Sequence, residues 1–222
     1  MLLQANLQES RAPKSPTSES LGDLRFRALL SASDWSSLPA PIRRRFSKRV
    51  AGGETAVYAG EVVATRLTPV GWLFAQLARL CGGPLPLSAL QGVPAVVSVT
   101  EDMVTGGQIW TRLYARRDGF PQIIHSSKRF AGPTGLEEYV GRGIGMELTV
   151  HAEQGALLFR SARYFFRLGR LTLHLPAWLT PGALTVTHAE LGEGRFTFTL
   201  DVDHPFSGRV VHQHAVFREV VT

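Results

Sequence analysis

The spacing of hydrophobic positions changes along the chain from a helical period to a strand period. Between residues 21 and 48 apolar side chains recur at helical spacing, and Pro39 and Pro41 open a short basic helix. A further helix is predicted over residues 71–82, an apolar segment that ends on a double glycine. Helical spacing would place its bulky apolar side chains on one face, namely Trp72, Leu73, Leu77 and Leu80, together with Cys81.

Alternation of apolar and polar residues marks the predicted strands. A first strand is expected over residues 56–67, and the chain after Pro94 has the strand period to its end. Short turns such as Asp118-Gly119 separate these strands, which favours antiparallel neighbours. The later strands are predicted near residues 94–102, 108–116, 120–130, 143–153, 156–167, 170–175, 184–191, 195–203 and 208–220.

So many antiparallel strands leave a long exposed edge unless the sheet curls or closes. The sequence therefore predicts an α+β fold that is mainly β. We expect a strongly curved antiparallel sheet or β-barrel of about 9–10 strands, with N-terminal helices and with helix 71–82 packed on it or capping it. Residues 1–20, rich in Ser, Pro and Glu, are expected to form a disordered tail before a single β-rich domain over residues 21–222.

Composition narrows the class of protein. The chain has 222 residues, a formal net charge of +6 and one cysteine, Cys81, which excludes a disulfide framework. The basic residues are mostly scattered arginines, so we expect a solvated basic surface and no nucleic-acid partner. The sequence has no apolar run that could span a bilayer and no recognisable secretory signal. We therefore expect a cytoplasmic protein without stable membrane insertion.

Six segments occur in a characteristic order. They are SLPAPIRRRF (37–46), YAGEVVATR (58–66), IWTRLYARRDGF (109–120), RLTLHLPAWLTPG (170–182), GRFTFTLDV (194–202) and GRVVHQHAVF (208–217). In this order they resemble the bacterial family described as domain of unknown function DUF4166. The resemblance implies no particular reaction, but members often lie fused to or beside NAD-binding reductase-like domains. The closing segment departs from the commonest family pattern, an aromatic residue and an arginine after the histidine, because Gln213 and His214 stand there.

One predicted strand carries a candidate ligand-binding group. Trp110, Arg112 and Tyr114 share a face of this strand because side chains alternate. An arginine between aromatic rings can stack on them and still bind a carboxylate with its fork of donors. Inside a barrel and without a protein carboxylate, Arg112 would need an anionic ligand group. The alternative is an exterior arginine packed over aromatic surface.

Histidines are the candidate catalytic residues if the protein is an enzyme, because imidazole titrates near neutral pH. They are His125, His212 and His214. The last two share one face of the last strand, and we favour that face for the interior over the row Val211, Gln213, Ala215 and Phe217. Two imidazoles could chelate a metal with a third ligand, but a metal-site motif is absent, and we predict neither a metal nor a cofactor.

Two further patterns are interpreted as turns without a functional role. Glu137-Glu138 is expected to lie in a solvated turn. The glycine-rich stretch 141–145 is expected to be a turn leading into a strand, since it does not open a helix as a dinucleotide loop would.

The combined pattern favours binding of a hydrophobic small molecule, such as a lipid, polyketide or isoprenoid-like compound, in the cavity of the curved sheet. Its anionic end would meet Arg112. The alternative is a cofactor-independent enzyme of acid–base, isomerase or cyclase type that uses the histidines. A weaker alternative is an interaction module for a separate reductase.

Overall fold

The computed structural model describes residues 22–220, so the predicted tail at residues 1–20 lies outside the described part. The described part contains four short helices: α1 (Arg25–Ala28), α2 (Ala32–Ser37), α3 (Ala40–Phe46) and α4 (Pro69–Ala78). Single 3₁₀ turns lie at Arg79–Cys81 and Ala177–Leu179. Of the helices within residues 22–220, none has the length and apolar character needed to cross a membrane.

Eleven antiparallel strands make up the rest of the described chain. They are β1 (Ala56–Leu67), β2 (Val93–Asp102), β3 (Gly107–Tyr114), β4 (Gln122–Arg129), β5 (Glu137–Gly141), β6 (Ile144–Glu153), β7 (Ala156–Leu168), β8 (Leu171–His174), β9 (Ala183–Gly192), β10 (Arg195–His204) and β11 (Gly208–Glu219). Their order is β6-β5-β4-β3-β2-β1-β11-β10-β9-β7-β8, and β6 also pairs with β7. This last pairing closes ten strands into a barrel, and β8 is an extra strand on the end of β7. The predicted mainly-β barrel is confirmed.

The strand β5 is the element that the sequence pattern does not predict. Its first two residues, Glu137 and Glu138, are 1% and 6% exposed. The expectation of a solvated turn is therefore wrong, because both carboxylates pair with basic side chains: Glu137 with Arg167 and Glu138 with Lys128. The glycine-rich stretch does form the turn between β5 and β6, as expected.

The N-terminal helices close one end of the barrel. Phe26 of α1, Trp35 of α2 and Phe46 of α3 are buried in one cluster with interior side chains of the strands. The ring of Phe26 lies edge-on to those of Phe46 and Phe159, with centroids 5.3 and 6.0 Å away. These helices form an apolar plug that leaves the middle of the barrel free.

Helix α4 covers the other end. The Thr68 hydroxyl caps it by accepting a hydrogen bond from the Gly71 amide at 3.2 Å. A Cβ on Gly71 would lie 2.1 Å from the Val210 carbonyl oxygen, so only glycine lets the helix approach β11 this closely. Ala75 on the same side is fully buried. Besides these small residues, Val70 and Phe74 of the helix pack, partly buried, against the same end of the barrel. Its other bulky side chains, Trp72, Leu73, Leu77 and Leu80, are exposed.

Candidate functional site

The barrel interior between the N-terminal helices and α4 holds a cavity of about 530 Å³. The walls are mostly apolar and come from most of the strands, with side chains such as Val97, Trp110, Tyr114, Ile124, Met146, Phe159, Tyr164, Val186, Phe198, Leu200, Ala215 and Phe217. Leu77 of α4 and the pair Trp178 and Leu179 also line the cavity, although all three are exposed to solvent. The cavity therefore reaches the surface between α4 and the 3₁₀ turn at Ala177–Leu179.

Three charged side chains meet on one wall of the cavity. Alternate residues of β3, β4 and β5 face the interior, and the strand register puts Lys128 opposite Glu138. The Lys128 ammonium donates to Glu138 Oε2 at 2.5 Å. The Arg112 guanidinium lies 3.5 Å from Glu138 Oε1 and donates to the Ser126 hydroxyl at 3.1 Å. One carboxylate is thus shared by two basic groups.

Burial and mutual attraction shift the protonation equilibria of this cluster. Burial alone raises the pKa of Glu138, but the charges of Lys128 and Arg112 outweigh it and lower the pKa to about 2. Burial lowers the pKa of Lys128 below its ordinary 10.5, and Glu138 opposes that shift. With Lys128 protonated, two cations and one carboxylate leave one excess positive charge in an apolar wall.

The predicted ligand-binding group is brought together in the cavity. Trp110, Arg112 and Tyr114 all line it, in agreement with their expected common face. Arg112 Cζ lies 5.9 Å from the centre of the Trp110 ring. The condition under which Arg112 by itself would need an anionic ligand group, the lack of a protein carboxylate, is not met, because Glu138 contacts it. The excess charge arises instead from Lys128, a residue that the sequence analysis did not select.

The predicted histidines lie outside the cavity. His125 is exposed, with Nδ1 3.0 Å from the Thr111 hydroxyl. His212 Nδ1 lies 2.7 Å from Asp201 Oδ1, and His214 Nδ1 lies 3.0 Å from the Thr199 hydroxyl. The three are spread over β4 and β11 and form no common site. Within residues 22–220 no three His, Cys, Asp or Glu side chains are grouped as metal ligands.

The prediction that His212 and His214 of β11 face the interior is therefore wrong. Gln213, Ala215 and Phe217 face the cavity, and His212 and His214 face outward. The one polar side chain of the inner row has a partner, since Gln213 Nε2 donates to the Thr65 hydroxyl at 3.0 Å. Two imidazoles in its place would require partners that an apolar wall does not offer.

Lys128 and Glu138 are the site residues that sequence reasoning missed. Alternation does put Lys128 on the same face as Ile124 and Ser126, a row that also holds the buried Gln122. A lysine in such a row signals a buried partner, but the partner lies on β5, which has no strand signal of its own.

The fold and the site define a class of protein, a closed antiparallel β-barrel with a largely apolar internal cavity and a charged cluster in its wall. The model of the family described as domain of unknown function DUF4166 matches residues 38–217. The chain belongs to this family, in agreement with the resemblance of its six ordered segments. The matched part contains every residue of the charged cluster. Comparisons with curated proteins and with solved structures found no match.

Proposed function

We propose that the barrel binds a hydrophobic small molecule whose anionic group pairs with Arg112 and Lys128. The observation that carries the proposal is the sharing of Glu138 by these two basic side chains inside an apolar cavity. A volume of about 530 Å³ lies within the range of small-molecule sites. The apolar walls favour a hydrophobic body for the ligand, because its burial removes apolar surface from water.

The excess positive charge favours an anionic group on that ligand. Removing a cation from water is costly unless an opposite charge accompanies it. Glu138 can compensate one of its two basic neighbours, and a carboxylate or phosphate of the ligand would compensate the second. Trp110 and Tyr114 flank Arg112 on β3 and would contact the ligand next to its anionic end.

The test compares palmitate with hexadecanol, which share the same chain length and differ in the charged end. Isothermal titration calorimetry on the full chain should give an affinity for palmitate that is at least about tenfold higher, since hydrogen bonds to charged groups contribute about 1.5–3 kcal/mol. A cavity-blocking variant, Val186→Trp, should abolish binding of both probes. Thr187→Trp on the outward face of β9 is the matched control and should bind as the unchanged protein does.

Three results would contradict the proposal. The first is that neither probe binds. The second is that hexadecanol binds as tightly as palmitate, which would leave a hydrophobic cavity without anion recognition. The third is that Val186→Trp and Thr187→Trp behave alike, with circular dichroism showing that both variants are folded, because binding would then lie outside the barrel.

A further inference from the structure

Large apolar side chains are exposed around the opening of the cavity. Trp72, Leu77 and Leu80 are 52%, 53% and 66% exposed on and after α4, and Trp178 and Leu179 are 62% and 55% exposed across the opening. We call these five residues the rim. Three of them, Leu77, Trp178 and Leu179, also line the cavity. A cluster of exposed apolar side chains of this size marks an interaction surface.

Exposed arginines lie on the same end of the barrel. Arg79 follows α4, and Arg142 lies in the β5–β6 turn, where Gly141 touches the backbone of Cys81. Arg170 lies in the β7–β8 turn. Within residues 22–220 none of these three arginines forms an ion pair with a carboxylate. Their charge is therefore free to attract an anionic partner.

Acidic residues are missing from the segments that form the rim. Residues 62–100 and 154–189, which carry all five rim residues, contain no Asp or Glu. Two acidic residues, Asp201 and Asp203, lie on β10 near the turn to β11, and Arg209 pairs with both at 3.0 Å and compensates one of the two charges. The end of the barrel around the opening thus combines exposed apolar side chains with uncompensated positive charge.

We propose that the rim docks on the surface of an anionic lipid bilayer. Tryptophan and leucine side chains favour the boundary between headgroups and acyl chains, and arginines at the same level are attracted to anionic headgroups. Docked in this way, the opening of the cavity faces the acyl chains. The inference goes beyond ligand binding and does not require it, because the rim and its arginines are present without a ligand.

The test is sedimentation of the full chain with vesicles of phosphatidylcholine alone and of phosphatidylcholine mixed with phosphatidylglycerol. Binding to the mixed vesicles is expected, with weaker binding at high salt because ions screen the attraction. The variant Arg79→Gln/Arg142→Gln/Arg170→Gln should reduce that binding by about tenfold or more. Arg27→Gln/Arg44→Gln/Arg218→Gln removes the same charge from exposed positions at the opposite end and should leave the binding nearly unchanged.

A second pair of variants tests the apolar part of the surface. Trp72→Ala/Leu80→Ala should weaken binding to the mixed vesicles by about tenfold or more, since it removes two large exposed side chains from the interface. Met103→Ala/Val104→Ala is the control, because these side chains are 81% and 92% exposed at the opposite end. Palmitate binding in solution should stay within about twofold in all four variants, since none of the substituted residues lines the cavity.

The proposal is overturned by any of three results. The first is that the protein does not sediment with the mixed vesicles. The second is that the two arginine variants lose binding equally, so that net charge alone explains the binding. The third is a dimer in light scattering that Trp72→Ala/Leu80→Ala dissociates, which would make the rim a protein interface. If the unchanged protein binds palmitate but does not sediment with the mixed vesicles, docking is rejected and the proposed function still stands.

Discussion

Lys128 and Glu138 form an ion pair inside the barrel, with Nζ 2.5 Å from Oε2 and both side chains less than one-tenth exposed. Strand β4 supplies the cation and β5 the carboxylate, at directly opposite positions of the sheet. Arg112 contacts the second carboxylate oxygen at 3.5 Å. Glu138 therefore holds three strands together electrostatically and also balances part of the positive charge that faces the cavity.

Removing the carboxylate should destabilise the fold. Glu138→Gln leaves the buried Lys128 and the partly buried Arg112 without a counter-charge, and breaking a buried pair in this way costs about 3–5 kcal/mol. Denaturant unfolding followed by circular dichroism measures the loss. The double variant Lys128→Met/Glu138→Gln should recover most of it, because the unpaired ammonium is removed as well. A loss below about 1 kcal/mol in the single variant would contradict the pairing.

Acid should weaken the fold through the same carboxylate. The pKa of Glu138 is lowered from 4.5 to about 2, so its ionised form stabilises the folded state. That contribution, about 3 kcal/mol, is fully present above pH 4.5 and is lost as the pH falls toward about 2. The unfolding free energies of the unchanged protein and of Glu138→Gln should therefore converge over this interval. A constant difference between them would reject the assignment.

Most of the fold could be predicted from the sequence because ten of the eleven strands carry their own signal. Strands such as β10 alternate over their whole length and end at glycine turns. The missing strand, β5, is five residues long and begins with two glutamates. Their burial is made possible by Arg167 and Lys128, which lie on other strands, so no local pattern could reveal it.

The candidate site could be predicted only where one strand contains the whole pattern. Trp110, Arg112 and Tyr114 share a face by alternation alone, and they do line the cavity. The choice between the two faces of β11 depends on what the opposite strands supply. Thr65 on β1 binds Gln213, and Asp201 on β10 binds His212 on the other face. Such pairing depends on the register between strands, which the sequence does not specify.

Two phenylalanines two positions apart should differ in their contribution to stability. Phe196 is fully buried against Tyr58, with ring centroids 5.3 Å apart, whereas Phe198 is partly exposed to the cavity. Phe196→Ala should cost about 3–5 kcal/mol in denaturant unfolding. Phe198→Ala should cost clearly less, because part of its surface already faces an unfilled space. Equal losses would mean that the cavity is filled by protein in solution.

Binding of an anionic probe should depend on the protonation of Lys128. Burial lowers the pKa of Lys128 below 10.5, and the charged form is the one that attracts the probe. Palmitate affinity should therefore be full below that lowered pKa and should fall as the pH rises through it. Burial raises the pKa values of Tyr114 and Tyr164, so these neighbours stay neutral over the same interval. Hexadecanol affinity should stay constant with pH.

The variant Lys128→Met isolates this effect, because methionine fills a similar space without the charge. Its palmitate affinity should be about 10- to 100-fold lower near neutral pH, which corresponds to the loss of one charged hydrogen bond. The remaining affinity should not change with pH, since the titrating cation is gone. Calorimetric titrations of both proteins across the alkaline range measure these two effects. A level profile for the unchanged protein would assign the recognition of the anion to Arg112 alone. A profile for Lys128→Met that still falls with pH would mean that a group other than Lys128 causes the pH dependence.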